Sequence, residues 1–146
     1  MPRIAAIDYG KARIGLALSD ERAYLASTLA PIRASKKLEE TAAEIATALK
    51  PHPVSRLVIG LPLHLNGRES LLSIEVRQLA TLLEAMLPIP ITLWDERLST
   101  AQTERMLKES GFSRKERTTR IDSACAAAIL QSFLDCNTQN GYFQKG

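Results

Sequence analysis

Ile4-Ala5-Ala6-Ile7-Asp8-Tyr9-Gly10 is a short apolar run that closes on a carboxylate, with glycine next but one. Such a stretch predicts a buried central strand that delivers its charged group to the sheet edge where ligands bind. A lone buried carboxylate is costly, so Asp8 is expected to meet a cation, a donor or water there. Downstream, Glu96 follows the run Ile91-Thr92-Leu93-Trp94 and Asp122 opens a helix-like segment. These are three acids that a suitable topology would gather.

Working outward from that run, Tyr9-Gly10-Lys11-Ala12 reads as a tight turn and Arg13 to Asp20 as the return strand of a hairpin. A third strand spans Ala23 to Ile32 and ends near Pro31. Ser35 is a good N-cap for a helix over Lys36 to Lys50, where Leu38, Ala42, Ile45, Ala46 and Leu49 share helical spacing and Pro51 and Pro53 stop the run. Leu57-Val58-Ile59-Gly60 predicts another buried strand. The loop Leu61 to Arg68, broken by Pro62 and Asn66-Gly67, then lies on the carboxyl side of a parallel strand, where function tends to sit.

A long helix from Ser70 to Met86 sets Leu72, Val76, Leu79, Leu83 and Leu87 on one face, and Pro88 and Pro90 bound a strand from Ile89 to Trp94. A further helix starts near Ser99, with Gln102 three positions after its cap, and ends by Gly111. A basic loop follows, then a last helix from about Asp122 to Asp135 with Cys125, Ile129 and Phe133 in register. Alternating strands and helices imply parallel pairing with right-handed crossovers. The order β-β-β-α-β-α-β-α-α is that of the ribonuclease-H-like α/β fold, a five-stranded mixed sheet flanked by helices whose first three strands are antiparallel.

With 146 residues, 45% of them hydrophobic, the chain matches one compact domain, expected over residues 1–137, with a polar, frayed tail at 138–146. No run approaches the roughly 18 apolar residues of a membrane span, and Met1-Pro2-Arg3 leads straight into a strand without an apolar leader. The expectation is a cytoplasmic protein with no membrane partner. Cys125 and Cys136 lie on one predicted helix, about 16 Å apart at 1.5 Å per residue, too far for a disulfide, and read as buried reduced thiols. The net charge of +3 equals the surplus of Arg114-Lys115-Glu116-Arg117-Thr118-Thr119-Arg120. Positive charge is therefore concentrated just before Asp122, as a seat for a polyanion or as a solvated basic loop.

In the expected topology the first strand is central, and the strand ending at Trp94 reaches the same carboxyl edge, so Asp8, Glu96 and Asp122 could converge. Three gathered carboxylates repel one another, and divalent cations relieve this, with oxygen ligands suiting Mg²⁺ or Mn²⁺. Two such ions, about 4 Å apart, would activate water and stabilise the leaving oxygen of a phosphodiester. The competing reading has Asp8 cap a turn, Glu96 pair with Arg97 and Asp122 serve as an N-cap. Lys11, Arg13 and Arg97 are either phosphate contacts or plain surface charges. Ser99 and Thr100 open a helix whose free N–H groups offer a phosphate seat, against simple capping. Trp94 is expected in the core and His64 in solvent.

The chain resembles a known family, the YqgF-type, pre-16S rRNA nuclease and Holliday-junction-resolvase-like proteins. The resemblance rests on Asp8-Tyr9-Gly10 with Arg13-Ile14-Gly15-Leu16-Ala17, on Ile59-Gly60-Leu61-Pro62 with Asn66-Gly67, on Asp95-Glu96-Arg97-Leu98-Ser99-Thr100, and on Asp122-Ser123-Ala124 with Ala127-Ala128-Ile129-Leu130. It covers nearly the whole chain. It implies that Asp8, Glu96 and Asp122 are metal-binding catalytic acids of an endonuclease acting on structured RNA, in maturation of the 16S rRNA precursor. A four-way DNA junction resolvase and a non-catalytic RNA-binding ribosome-assembly factor remain as alternatives. Nucleic acid is the expected partner, precursor ribosomal particles a further one, and the chain is expected as a monomer or homodimer.

If the basic stretch grips phosphates, replacing Arg114, Lys115, Arg117 and Arg120 with Gln weakens binding to all sequences alike. The slope of log K against log salt then falls by roughly 0.7 to 0.9 per lost contact, as a salt titration of a labelled duplex would measure.

Overall fold

The computed structural model describes residues 3–99 and 114–139, with side chains for 3–99 and 124–137. Strands β1 (Arg3–Tyr9), β2 (Arg13–Ser19) and β3 (Ala26–Arg33) come first, followed by helix α1 (Leu38–Leu49), β4 (Val54–Leu61), α2 (Leu71–Met86) and β5 (Ile91–Asp95). A 3-10 turn (Glu96–Ser99) closes β5, and helix α3 (Arg114–Gln139) ends the described chain. The sheet runs β3-β2-β1-β4-β5. β1 pairs antiparallel with β2 and parallel with β4, β3 is antiparallel to β2, and β5 is parallel to β4. The five-stranded mixed sheet expected from the element order is the one observed.

Both faces of this sheet are covered, and side-chain size sorts them. Ala5, Ile7, Ile14, Leu16, Leu57 and Ile59 point to one face, where Ile45 and Leu49 of α1 and Val76, Leu79 and Leu83 of α2 pack. The other face presents Ile4, Ala6, Ala17 and Val58, against Ala126, Ala127, Ile129, Leu130, Phe133 and Leu134 of α3. Small residues on both sides let α3 lie close to the sheet, and close packing supplies the dispersion that few large side chains would otherwise provide. Pro31 sits within β3, which is tolerable because β3 is an edge strand and Pro31 falls at a bulge where no β2 residue pairs with it.

Local chemistry explains the turns. In the β1–β2 hairpin the Gly10 N–H donates to the Arg13 carbonyl at 3.0 Å, and a Cβ on Gly10 would lie 2.7 Å from that same oxygen. Only glycine fits. Helix α2 starts as expected: Ser70 accepts from the Ser73 N–H at 2.9 Å while the Ser73 hydroxyl accepts from the Ser70 N–H at 2.8 Å, a reciprocal cap.

Four expectations are corrected. Ser35 is not the cap of α1: Lys37 stands at that position without a side-chain cap, and Ser35 is instead drawn to α1 from outside, its N–H donating to Thr41 Oγ1 and its hydroxyl to Glu44. The stretch from Arg114 to Arg120 is helix rather than loop, because its residues are good helix formers and no glycine or proline occurs from Arg114 to Gln139. Cys125 is half-buried and Cys136 exposed, so neither is the buried thiol that its place on the last helix suggested. The strand expected from Ala23 begins at Ala26, since residues 20–25 form a turn. The helix expected from Ser99 to Gly111 falls almost wholly outside the described residues. No helix among the described residues is long and apolar enough to cross a membrane.

That β2–β3 turn depends on Asp20. Its Oδ1 accepts from the Tyr24 and Leu25 N–H groups at 2.8 and 3.0 Å, and Ala23 takes a left-handed φ of 61°. The Leu25 hydrogen bond foremost, aided by other backbone donors, holds the carboxyl below the usual carboxylate range. A group with a lowered folded pKa stabilises above its unfolded value, about 3.9, and loses that contribution as pH falls through the folded value. Intrinsic-rate-corrected hydrogen exchange at Tyr24 and Leu25 should therefore stay protected above pH ~4 and open below it. Asp20→Ala should lose the protection at every pH.

Candidate active site

Asp8 and Glu96 reach the same edge of the sheet from two strands separated by β4. Asp8 follows Ile7, which pairs with Ile59, so it stands in the row of Gly60 on β4, and its β2 partner is Gly15. Side chains alternate along a strand. Because Ile7 faces α1 and α2, Asp8 faces α3, in a lane with glycine on either side. Neither strand neighbour carries a side chain beside the carboxylate.

Glu96 arrives by a different route. It is the first residue of the 3-10 turn after β5, where the chain bends back over the sheet. A Cβ on Gly60 would sit 2.6 Å from Glu96 Oε1 and 2.6 Å from Ile129 Cδ1. The Glu96 carboxylate therefore rests on the bare backbone of Gly60, under α3, on the same face as Asp8. Glycine at 60 is what makes room for it.

The neighbouring residues fix that turn. Arg97 Nε donates to Asp95 Oδ1 and Oδ2 at 3.0 and 2.9 Å, its Nη2 donates to Oδ2 at 2.6 Å, and its backbone N–H donates to Oδ1 at 2.9 Å. Arg97 Nη1 reaches across to the Leu65 carbonyl at 3.2 Å, tying the loop after β4 to the turn after β5. The guanidinium lies beside Gly67, whose φ of 87° closes the loop. The Arg97 hydrogen bonds hold the Asp95 carboxyl below its usual range and raise the guanidinium in turn. Ser99 is buried, and its hydroxyl donates to the Glu96 carbonyl at 2.9 Å. Trp94 is half-buried, its indole N–H donating to Ser132 at 3.0 Å and its ring meeting Phe133 edge-on at 5.3 Å.

Against the expectations from sequence, the pairing of Glu96 with Arg97 does not occur; Asp95, two residues before Arg97, takes the guanidinium because the fork reaches back along the turn. Ser99 is a turn residue, too deeply buried to seat a phosphate, and Thr100 lies outside the described residues. Lys11 and Arg13 are exposed in and beside the β1–β2 turn, at the edge that carries Asp8, and His64 is exposed in the Pro62–Arg68 loop. Asp122 belongs to α3, seven positions before Ile129, with its side chain outside the described set, as are those of Arg114, Lys115, Arg117 and Arg120. Among the described residues, no three His, Cys, Asp or Glu side chains cluster to hold a metal. Two residues that sequence reasoning passed over matter here: Gly60, signalled only by glycine ending an apolar run, and Asp95, signalled by its Asp-x-Arg spacing.

A central strand tipped by a carboxylate, in a sheet of order β3-β2-β1-β4-β5 with helices on both faces, defines an α/β protein of the ribonuclease-H-like class. T. thermophilus RuvC, solved in complex with a Holliday junction substrate, shares this fold, with a TM-score of 0.63 at 16% identity over 97% of each chain. The chain belongs to the RuvX family, described as Holliday junction resolvase, whose sequence model matches residues 2–136. It is 45% identical to a Protochlamydia amoebophila protein over 91% of this chain and 93% of that one, and 39% identical to a Syntrophus aciditrophicus protein over 94% and 91%. Both relatives are provisionally named pre-16S rRNA nucleases.

The glycine seat gives a direct test. In Gly60→Ala the new methyl displaces the far ends of Glu96 and Ile129, both flexible, so the destabilisation should stay near about 1–2 kcal/mol. A crystal structure should show the Glu96 carboxylate moved off the sheet, with a melting temperature only a few degrees lower.

Proposed function

We propose that the chain is a metal-dependent endonuclease that hydrolyses phosphodiester bonds in structured RNA, acting on the 16S rRNA precursor during ribosome maturation. The observation that supports this best is the delivery of Asp8 and Glu96 to one face of one sheet edge, with glycine at 60 making room for the Glu96 carboxylate. The names of the relatives favour RNA as substrate, while the family description makes a four-way DNA junction the second reading.

The donor set fits hard divalent cations. Glu96 lies in a cradle that a Cβ would fill, the donors are carboxylate oxygens, and both histidines, His52 and His64, lie on other segments. Asp8, Glu96 and Asp122 would hold Mg²⁺ or Mn²⁺, which when bound lowers the pKa of water and offsets charge on a leaving oxygen.

The chain's own residues do the rest. Asp95 and Arg97 lock the turn that carries Glu96, so the carboxylate is held in place before substrate arrives rather than ordered by it. Arg97 thus acts as a positioning residue. Lys11 and Arg13, exposed on the Asp8 edge, are suited to phosphates flanking the one cut, and the basic first turns of α3 to more distant ones. Tyr9, on the opposite face, serves the fold: burial foremost, and then the Glu75 carboxylate that it hydrogen-bonds, push its phenol above the usual range, so it stays neutral.

The test is cleavage of labelled precursor rRNA and of a four-way DNA junction, side by side, with Mg²⁺, Mn²⁺, Ca²⁺ or EDTA. RNA is cut in Mg²⁺ and Mn²⁺, little in Ca²⁺, whose looser shell misplaces the attacking water, and not in EDTA. Asp8→Asn, nearly isosteric, abolishes cleavage while the fold persists, and its stability without metal is equal or higher because repulsion is removed. Cleavage that survives EDTA would overturn the metal reading. Preferential cutting of the junction would move the substrate to DNA, and binding to RNA with no cleavage under any ion would leave an assembly factor.

A further inference from the structure

β3 carries one residue more than β2 between the pairs Leu16–Leu29 and Ile14–Ile32, a bulge that falls at Ala30-Pro31. Had the Leu16–Leu29 register continued, Ile14 would face Pro31 and Arg13 would face Ile32. The extra residue instead pairs Ile14 with Ile32, both packed toward α1 and α2, and sets Arg13 directly opposite Arg33. By alternation the two guanidinium groups stand on the other face, the one that carries Asp8.

Two like charges directly opposite across an antiparallel pair repel, their Cβ atoms about 5 Å apart. A carboxylate at either position would remove that repulsion, yet both are arginine, both are exposed, and among the described residues neither guanidinium has a hydrogen-bond or ion-pair partner. Arg13 lies two residues along β2 from Gly15, the partner of Asp8, which is about 7 Å along the strand. Lys11, in the intervening turn, adds a third cation at the same edge.

We propose that Arg13 and Arg33 form a paired guanidinium seat for a backbone phosphate of the nucleic acid, adjacent to the phosphate presented to Asp8. The β3 bulge is the device that brings them together, and Arg33 is the residue it adds. This rests on the nuclease reading for its ligand, but two planar forks converging on one oxyanion are a phosphate site on chemical grounds alone.

The experiment uses the full chain in EDTA, so that binding is read without cleavage. A fluorescein-labelled RNA hairpin with single-stranded arms is titrated across salt, and inorganic pyrophosphate is added in a separate thermal-shift series. Arg33→Gln and Arg13→Gln each lower the slope of log K against log salt by about 0.7 to 0.9, the double variant by about twice that, for arms of any sequence. Arg33→Lys, which keeps the charge, retains the slope. Pyrophosphate raises the melting temperature of the wild type and of Arg33→Lys, and not that of the double variant. An unchanged slope in Arg33→Gln, or an equal pyrophosphate shift in the double variant and the wild type, overturns the proposal. Because neither readout requires cleavage, a wild type that cuts nothing would count against the nuclease reading and leave the phosphate seat standing on its own measurements.

Discussion

The contact between the Glu96 carboxylate and the bare backbone of Gly60 is the constraint on which the site depends. A carboxylate on a turn beyond an edge strand would ordinarily extend into water. Here it folds back because β4 offers no side chain at that position and Asp95 and Arg97 lock the turn beneath it. Asp8 needs no such device, since the central strand carries it there directly. The two acids meet one face by different means, one by strand alternation and one by a glycine-shaped space.

The covering of the sheet explains why charge collects at this edge. Both faces of β1, β2 and β4 are packed by helices, so a polar group along them would be buried and costly. The loop Pro62–Arg68 and the turn Glu96–Ser99 both lie at the carboxyl edge, and Arg97 joins them through the Leu65 carbonyl. A rigid scaffold with function on its connecting segments follows from that distribution of burial.

Reading the element order was enough to place the strands, because apolar runs, proline breaks and the hairpin glycine are local signals. It was less successful wherever a residue had two partners within reach. Ser35 has the chemistry of a cap and is drawn instead to Thr41 and Glu44; the dense charge of Arg114–Arg120 suits a loop as well as a helix, and the absence of glycine and proline lets the helix run through it. Arg97 could have paired with either adjacent acid. The fork geometry of a guanidinium, which fits Asp95 two residues back, decided it.

By itself the sequence determined that Asp8 lies near the carboxyl end of a buried strand and that β1, β2 and β3 form a meander, because strand periodicity and turn signals are properties of the chain alone. Only the tertiary structure decided that Gly60 seats Glu96, that Asp95 holds Arg97, and that a one-residue bulge in β3 stands Arg33 opposite Arg13. The first and last of those depend on how strands register against one another and how a helix packs over them, while the Asp95–Arg97 pair depends on the shape of the turn after β5. Register is set by the whole sheet burying its two faces at once, and no local stretch encodes it.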